Sequence, residues 1–153
     1  MSFAKSGITI AEVVVVNSPA IEEVATPFRL AKITPVSTLI KKGMIHSAHD
    51  CSDGGLFIAL AESSISSGKG FDISTDESIR TDAFLFGEAQ SRVVVTVRPG
   101  DEEKFLHEMM ERDVDFCSLG TVMGDEMTVD EEAYFKVEEV KNMYDNALEN
   151  ILK

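Results

Sequence analysis

The residues best suited to chemistry in this 153-residue chain lie in one run, HSAHDCSDGG at positions 46–55. His49, Asp50 and Ser52 supply the residue types of a catalytic triad. Triad side chains normally converge from separate elements, which near neighbours on one strand seldom do. If the run is extended, His49 and Cys51 share one face, so a thiol–imidazole dyad is conceivable. Nothing in the sequence orients the histidine or activates the thiol, and we predict no catalytic residue here.

The same run also contains side chains that can bind a metal ion. They are His46, His49, Asp50, Cys51 and Asp53. Zinc sites usually combine two separated ligand pairs, whereas this chain has one cluster, so a polar strand end is the better prediction. Mg²⁺ held by one aspartate and a bound phosphate stays open, because this ion takes few protein ligands. The sequence leaves the metal, if any, unknown.

The end of the run, SDGG at 52–55, predicts a turn from a strand into a helix. Ser52 or Asp53 would be the N-cap, and Gly54 and Gly55 would let the backbone turn tightly. The amides at such a helix start can bind an anion. Two glycines alone are a weak indication of a phosphate site, so the turn can be structural, ligand-binding or both.

A second group of polar residues, FGEAQSR at 86–92, precedes an apolar run. If this segment is extended, Glu88, Gln90 and Arg92 lie on one face. Burying such a row without partners is costly. We therefore predict an edge that faces a ligand or another domain; an exposed or salt-bridged strand start is the alternative.

The hydrophobic pattern predicts alternating strands and helices. The predicted strands are 9–16, 44–50, 70–75, 92–97, 115–123 and 132–140. The predicted helices begin near 34, 56, 81, 100 and 139, and glycines end two of them at 43 and 68. In the helix at 100–113, Phe105, Leu106, Met109 and Met110 are expected to point inward. This order predicts an α+β fold, an α/β sandwich in which helices pack on a mixed sheet.

Charge and composition restrict the classes of partner. The chain has 27 acidic and 14 basic residues, a net charge of −13, which disfavours nucleic-acid binding. A nucleotide ligand would need Mg²⁺, backbone amides or basic residues from elsewhere. No apolar run approaches the length of a membrane span, and the start does not resemble a signal peptide, so we expect a cytoplasmic protein. The two cysteines lack C-x-x-C spacing, and we expect reduced thiols.

Taken together, SAHDCSDGGLFIALAES, FGEAQSRVVVTV and LGTV resemble the C-terminal domain of phosphoribosylformylglycinamidine synthase, in the aminoimidazole ribonucleotide synthetase-like superfamily. The resemblance covers roughly residues 36–152. It implies that fold for a domain at 36–153, preceded by a strand and linker at 1–35. Relatives that act on selenide, thiamine phosphate or hydrogenase maturation are a lesser alternative, because their glycine and cysteine signatures are absent.

The resemblance implies a part of an enzyme. The family converts formylglycinamide ribonucleotide to the amidine with ATP, Mg²⁺ and ammonia from a glutaminase domain or subunit. Its nucleotide-binding sequences and catalytic histidine belong to regions that this chain does not match, so we expect the chain alone to be inert and to have no certain cofactor of its own. Its implied partner is the ATP-binding domain of the same enzyme; a homodimer stays open.

The resemblance also assigns two sets of site residues. The first, expected at the interface with the ATP-binding domain or its nucleotide phosphates, comprises Asp50, Ser52, Asp53, Gly54 and Gly55. The second, expected at the edge of a substrate site or of its pseudo-symmetric counterpart, comprises Glu88, Gln90, Ser91 and Arg92. The alternative function is a stand-alone, non-catalytic interaction or oligomerisation module with the same fold.

Overall fold

The computed structural model of the protein describes residues 12–17, 36–88, 92–112 and 115–152, with only the backbone described for 12–17 and 115. The described strands are β1 (Glu12–Asn17), β2 (Ser47–Asp50), β3 (Phe71–Ile73), β4 (Arg92–Val97), β5 (Asp115–Val122), β6 (Glu126–Val129) and β7 (Glu132–Lys136). The described helices are α1 (residues 36–41), α2 (Gly55–Ser67), α3 (Thr81–Phe86), α4 (Glu102–Glu111), α5 (Val137–Asp145) and α6 (Ala147–Leu152). The expected linker between β1 and α1 lies outside the described residues.

The strands form one mixed sheet in the order β2-β4-β1-β5-β3-β6-β7. β3 and β6 are parallel, and the other neighbouring pairs are antiparallel. β1 lies between β4 and β5, so the N-terminal strand is an integral part of the sheet. This architecture confirms the predicted mixed sheet with packed helices.

Helices cover both faces of the sheet, and each face has its own apolar core. Val94 of β4 faces the core that contains Leu56 and Leu60 of α2. Val95, next along β4, faces the opposite core, which contains Phe105 of α4. Successive strand residues point to opposite faces, so a strand covered on both sides is apolar throughout. The strand predicted at 92–97 is therefore present, and its apolar side chains pack on both faces of the sheet.

Three predicted details are wrong near the helices and the last strand. Met110 is 69% exposed, whereas Met109 is fully buried, because α4 rests on the sheet along a narrower stripe than predicted. The strand predicted at 132–140 ends at Lys136, and α5 begins at Val137. The final helix is divided into α5 and α6.

The sequence pattern also missed β6, which pairs with β7 through the turn at Asp130 and Glu131. Both turn residues have positive φ, 50° and 68°, as a type I′ hairpin turn requires. Asparagine or glycine usually marks such turns, and an Asp-Glu pair gives a weaker signal. None of the described helices is both long and apolar enough to cross a membrane.

Candidate functional site

Antiparallel pairing of β2 with β4 brings the two polar motifs together. Asp50, the last residue of β2, is paired with Val93 near the start of β4. The Cys51 N–H donates to the Arg92 carbonyl oxygen at 2.9 Å, which extends the ladder by one bond. The turn after β2 and the segment before β4 therefore lie at the same end of the sheet. We call residues 50–55, 84–88 and 92 the paired-turn site.

One side-chain hydrogen bond joins the two motifs directly. The Gly54 N–H donates to Glu88 Oε1 at 3.1 Å. The bond places a carboxylate at the N-terminus of α2, where the free N–H groups and the helix dipole favour negative charge. The anion at this helix start is thus supplied by the protein itself.

The glycine pair is required by backbone shape. Gly54 and Gly55 both have positive φ, 79° and 71°. A Cβ built on Gly55 would lie 2.8 Å from the Phe86 carbonyl carbon and 2.9 Å from the Leu85 carbonyl oxygen, so the end of α3 lies directly against this residue. The turn and the segment that carries Glu88 fit together only because position 55 has no side chain.

The predicted cap at this helix start is wrong. The N-cap of α2 is Gly54, and no side chain caps the helix. Ser52 contributes its backbone carbonyl, which accepts from the Gly55 N–H at 3.1 Å, and its side chain is exposed. Asp53 is also exposed. Glu88 accepts from the N–H of the N-cap residue Gly54 itself, whereas a capping side chain would accept from an amide two or three residues further into the helix.

Arg92 points back into its own domain. Its Nη1 donates to the carbonyl oxygens of Phe84 at 3.3 Å and Gly87 at 3.5 Å. The guanidinium carbon lies 5.6 Å from the centre of the Phe84 ring. A cation at the carbonyl end of a helix is favourable, so Arg92 holds the end of α3 in position. Gln90 and Ser91 lie outside the described residues, so the structure describes only the two ends, Glu88 and Arg92, of the predicted row.

His49 has a partner that the sequence did not reveal. Its Nε2 lies 3.1 Å from Glu62 Oε2 on α2, and its Nδ1 lies 2.8 Å from the Asp50 carbonyl oxygen. The ring is therefore oriented from both nitrogens. Residues 49 and 62 are distant in sequence, and only the packing of α2 on β2 brings them together.

Cys51 is not an activated nucleophile. Its side chain is buried in the core beside α2. Burial raises the pKa of the thiol to about 11; the Arg92 guanidinium opposes this rise, and the Asp50 carboxylate adds to it to a lesser extent. A reactive thiolate needs a lowered pKa and access to solvent, so the thiol–imidazole dyad finds no support here.

Two groups of the paired-turn site that could bind a phosphate are engaged within the chain. The Gly54 amide is already bonded to a carboxylate, and the nearby Arg92 guanidinium is directed at backbone carbonyls. Across residues 12–17, 36–88, 92–112 and 115–152, no group of three or more histidine, cysteine, aspartate and glutamate side chains is arranged to hold a metal ion.

Exposed apolar side chains lie within and beside the paired-turn site. Ile58 is 38% exposed and packs beside Gly54, and Phe86 is 51% exposed. The Phe86 ring contacts Phe57 with 5.6 Å between centroids. A combination of exposed apolar and polar groups at one end of a sheet is typical of a surface that contacts another protein domain.

An open groove of about 820 Å³ lies elsewhere, between residues 74–81 and the β6–β7 turn. Asp130 at that turn accepts two 2.7 Å hydrogen bonds, from the Thr75 N–H and from the Thr75 hydroxyl. These bonds lower the pKa of the Asp130 carboxyl. Local sequence patterns do not reveal this pair, because Thr75 and Asp130 are far apart along the chain. The bonds anchor the hairpin turn to the segment after β3.

Comparison with known proteins assigns the family. The sequence model for the C-terminal domain of AIR synthase related proteins matches residues 5–131. The chain belongs to this family. The resemblance found in the sequence is thereby confirmed.

Two curated relatives show how much of a longer protein the chain matches. The phosphoribosylformylglycinamidine synthase subunit PurL of Caldanaerobacter subterraneus is 41% identical over 95 residues, which is 62% of this chain and 13% of that protein. The subunit PurL of Allorhizobium ampelinum is 40% identical over 119 residues, 76% of this chain and 16% of that protein. The chain thus spans less than a fifth of each relative.

Solved structures share the fold at low sequence identity. T. maritima PurL complexed with ATP matches with a TM-score of 0.71 and 17% identity, over 92% of this chain and 27% of that chain. Thiamine-monophosphate kinase from Stenotrophomonas maltophilia matches with a TM-score of 0.62 and 17% identity, over 88% of this chain and 54% of that chain. These matches confirm a fold like that of the synthetase C-terminal domain.

Proposed function

We propose that the chain is the C-terminal domain of an ATP-dependent phosphoribosylformylglycinamidine synthase. In this role it takes part in converting formylglycinamide ribonucleotide and glutamine-derived ammonia to the amidine during purine biosynthesis, in the cytoplasm. The observation that carries the proposal is the contact between Gly54 and Glu88, because it joins the two motifs that resemble the synthase into one surface. The two curated relatives that match this chain at 40–41% identity are synthase subunits, which supports the same assignment.

In this proposal the paired-turn site faces the ATP-binding domain of the enzyme. The turn residues Asp50, Ser52 and Asp53 offer polar contacts, and the exposed Ile58 and Phe86 offer apolar area next to them. A polar surface with an apolar centre suits contact between domains. Glu88, Gln90, Ser91 and Arg92 would lie at the edge of the substrate site or of its pseudo-symmetric counterpart.

The chain by itself is expected to be inert. ATP and Mg²⁺ would be held by the partner domain, since the Gly54 amide and the Arg92 guanidinium are already engaged within this chain. Ammonia would come from a glutaminase domain or subunit. The role of this chain is to form one side of the site that it shares with the ATP-binding domain and to hold the residues of that side in position.

Deletion of residues 36–152 in the source organism tests the assignment. We expect the deletion strain to need added purine, and restoration of the segment should remove that need. The purified chain incubated with the ribonucleotide substrate, ATP, Mg²⁺ and ammonium should form no amidine. Growth of the deletion strain without purine would instead favour a non-catalytic interaction module, and amidine formation by the chain alone would contradict its inertness.

A matched pair of variants tests the position of the interface. Ile58→Asp places a charge beside the paired-turn site and should lower the synthase activity of the assembled enzyme. Ser66→Asp places the same charge on an exposed position near the other end of α2 and should leave that activity unchanged. Equal activities of the two variants would show that this end of the sheet does not contact the catalytic partner.

A further inference from the structure

Three polar groups form a line that reaches the paired-turn site: the Glu62 carboxylate on α2, the His49 imidazole on β2 and the Asp50 carbonyl at the end of β2. His49 Nε2 lies 3.1 Å from Glu62 Oε2, and His49 Nδ1 lies 2.8 Å from the Asp50 carbonyl oxygen. The His49 side chain is 22% exposed and the Glu62 side chain is 47% exposed. Because Asp50 belongs to the paired-turn site, these contacts connect the site to α2.

The Asp50 carbonyl depends on a side-chain donor because of its place in the sheet. β2 is an edge strand, with β4 as its one neighbour among the strands that the structure describes. The Cys51 N–H donates to the Arg92 carbonyl, and hydrogen-bonded residues alternate along an antiparallel ladder. The backbone groups of Asp50 therefore point away from β4, toward the open edge, where the His49 ring supplies the donor.

The neighbours of the ring fix its orientation. A carbonyl oxygen only accepts, so His49 Nδ1 carries the hydrogen of its bond to Asp50. The Glu62 carboxylate is also an acceptor, and it engages Nε2 when that nitrogen carries a proton as well. Both contacts are made in one orientation of the ring, so Glu62 favours the rotamer of His49 that reaches Asp50.

The contact between His49 and Glu62 also spans the glycine turn. His49 lies in β2, and Glu62 lies about two helical turns into α2, so the pair joins the two elements on either side of residues 51–54. A link between the elements that flank a turn limits the angle between them. Together with the bond to Asp50, it fixes the end of β2 relative to the start of α2.

The pair is expected to contribute little to stability. Ion pairs between partly exposed side chains are weak, because water screens them and both side chains lose freedom when they pair. A comparable pair lies on α4, on the other face of the sheet, where His107 Nδ1 is 3.7 Å from Glu111 Oε2. The feature of His49 that bears on function is its second bond, which holds a backbone atom of the paired-turn site.

We propose that His49, held by Glu62, is a positioning residue of the synthase reaction and orients the Asp50 end of the paired-turn site toward the ATP-binding domain. The proposal rests on the proposed function, which supplies the reaction and the facing domain. Neither side chain needs to touch the substrate or the nucleotide. A displacement of about 1 Å away from the reacting atoms can lower activity by about 100-fold, so a weak contact can have a large effect on the rate.

Two amide substitutions at position 49 separate the two contacts. In His49→Asn the amide nitrogen takes the place of Nδ1 and can still donate to the Asp50 carbonyl. In His49→Gln the amide nitrogen lies near the place of Nε2 and can meet Glu62 instead. The enzyme is purified from the source organism through a tag on this chain, together with the synthase segments joined or bound to it. His49→Gln should lower kcat/KM for ATP by about 10-fold or more, and His49→Asn by less than about 3-fold. Equal losses in the two variants would overturn the proposal.

Substitutions of the partner and of a matched histidine supply the controls. Glu62→Gln keeps an acceptor opposite Nε2 and should lower kcat/KM less than Glu62→Ala does. His107→Gln removes the comparable pair on α4 and should leave kcat/KM unchanged. The urea midpoints of His49→Asn and His49→Gln should agree to within about 0.5 M, because the pair is partly exposed. A loss of activity in His107→Gln as large as that in His49→Gln would overturn the specific role of His49.

Nitrogen-15 NMR of the isolated 153-residue chain tests the bond to Asp50 without any synthase activity. At pH 8 the Nδ1 resonance of His49 should be that of a protonated nitrogen, and an unprotonated Nδ1 would overturn the proposal. An active wild-type assembly whose His49→Gln variant is equally active would overturn only the role of His49. Absence of synthase activity from the wild-type assembly would overturn the proposed function and this role together.

Discussion

Replacing Gly55 with alanine tests the close approach that holds the paired-turn site together. Gly55 has φ of 71°, and Gly68 at the C-terminal end of α2 has nearly the same value, 72°. An added Cβ at Gly55 meets backbone atoms of Leu85 and Phe86 at 2.8–2.9 Å, whereas an added Cβ at Gly68 meets nothing within 4 Å. The two positions share the conformational cost and differ in the steric one.

The expected magnitudes follow from this difference. An alanine in the left-handed region destabilises the folded state by about 1–2 kcal/mol relative to glycine. Alanine also reduces the conformational freedom of the unfolded chain, which offsets about 0.4–1 kcal/mol of that cost. We therefore expect Gly68→Ala to lower the free energy of unfolding by about 1 kcal/mol. Gly55→Ala adds the displacement of a packed backbone, about 1–3 kcal/mol more, for a total of about 2–4 kcal/mol.

Urea unfolding followed by circular dichroism measures both variants. With a slope of about 2 kcal/mol per molar urea, the midpoint of Gly55→Ala should lie roughly 0.5–1.5 M below that of Gly68→Ala. A typical domain is stable by about 5–15 kcal/mol, so both variants should remain folded in buffer. Equal midpoints would contradict the steric cost expected at Gly55, because the end of α3 would then move away from the added methyl group without a loss of stability.

Three further predictions concern the core and the titrating groups. In the same unfolding assay, Met109→Ala should destabilise the protein by about 2–5 kcal/mol, because Met109 is buried. Met110→Ala should cost less than about 0.5 kcal/mol, because Met110 is exposed. The reverse order of stabilities would contradict the packing of α4. Alkylation at pH 8 should modify the half-buried Cys117 before Cys51, whose thiol has a pKa of about 11, and faster labelling of Cys51 would contradict its burial. The hydrogen bonds to Asp130 lower its pKa in the folded state, so their contribution to stability is present above the unfolded pKa near 4 and is lost as the pH falls. The free energy of unfolding of the wild type should therefore exceed that of Asp130→Asn at pH 7, and the difference should disappear at lower pH. A difference that does not change with pH would contradict the role of the Asp130 carboxylate.

The sequence by itself determined the features that depend on local pattern. A nearly continuous β-branched run specifies β4 as a strand buried on both faces, and Gly68 ends α2 because glycine tolerates the left-handed conformation there. The combined motifs around Gly54 and Glu88 identified the family. Each of these signals lies within a short window of the chain, where spacing and backbone preference act directly.

Only the tertiary structure decided which distant groups meet. Pairing of β2 with β4 places Glu88 on the Gly54 amide, and packing of α2 on β2 gives His49 its partner Glu62. The exposure of Met110 likewise depends on how α4 rests on the sheet. These contacts join residues that are far apart in sequence, and local spacing carries no information about such pairings. The run HSAHDCSDGG contains residue types of a nucleophile, a metal site and an anion site. In the fold it ends in a glycine turn whose Gly54 amide donates to Glu88 of the second motif.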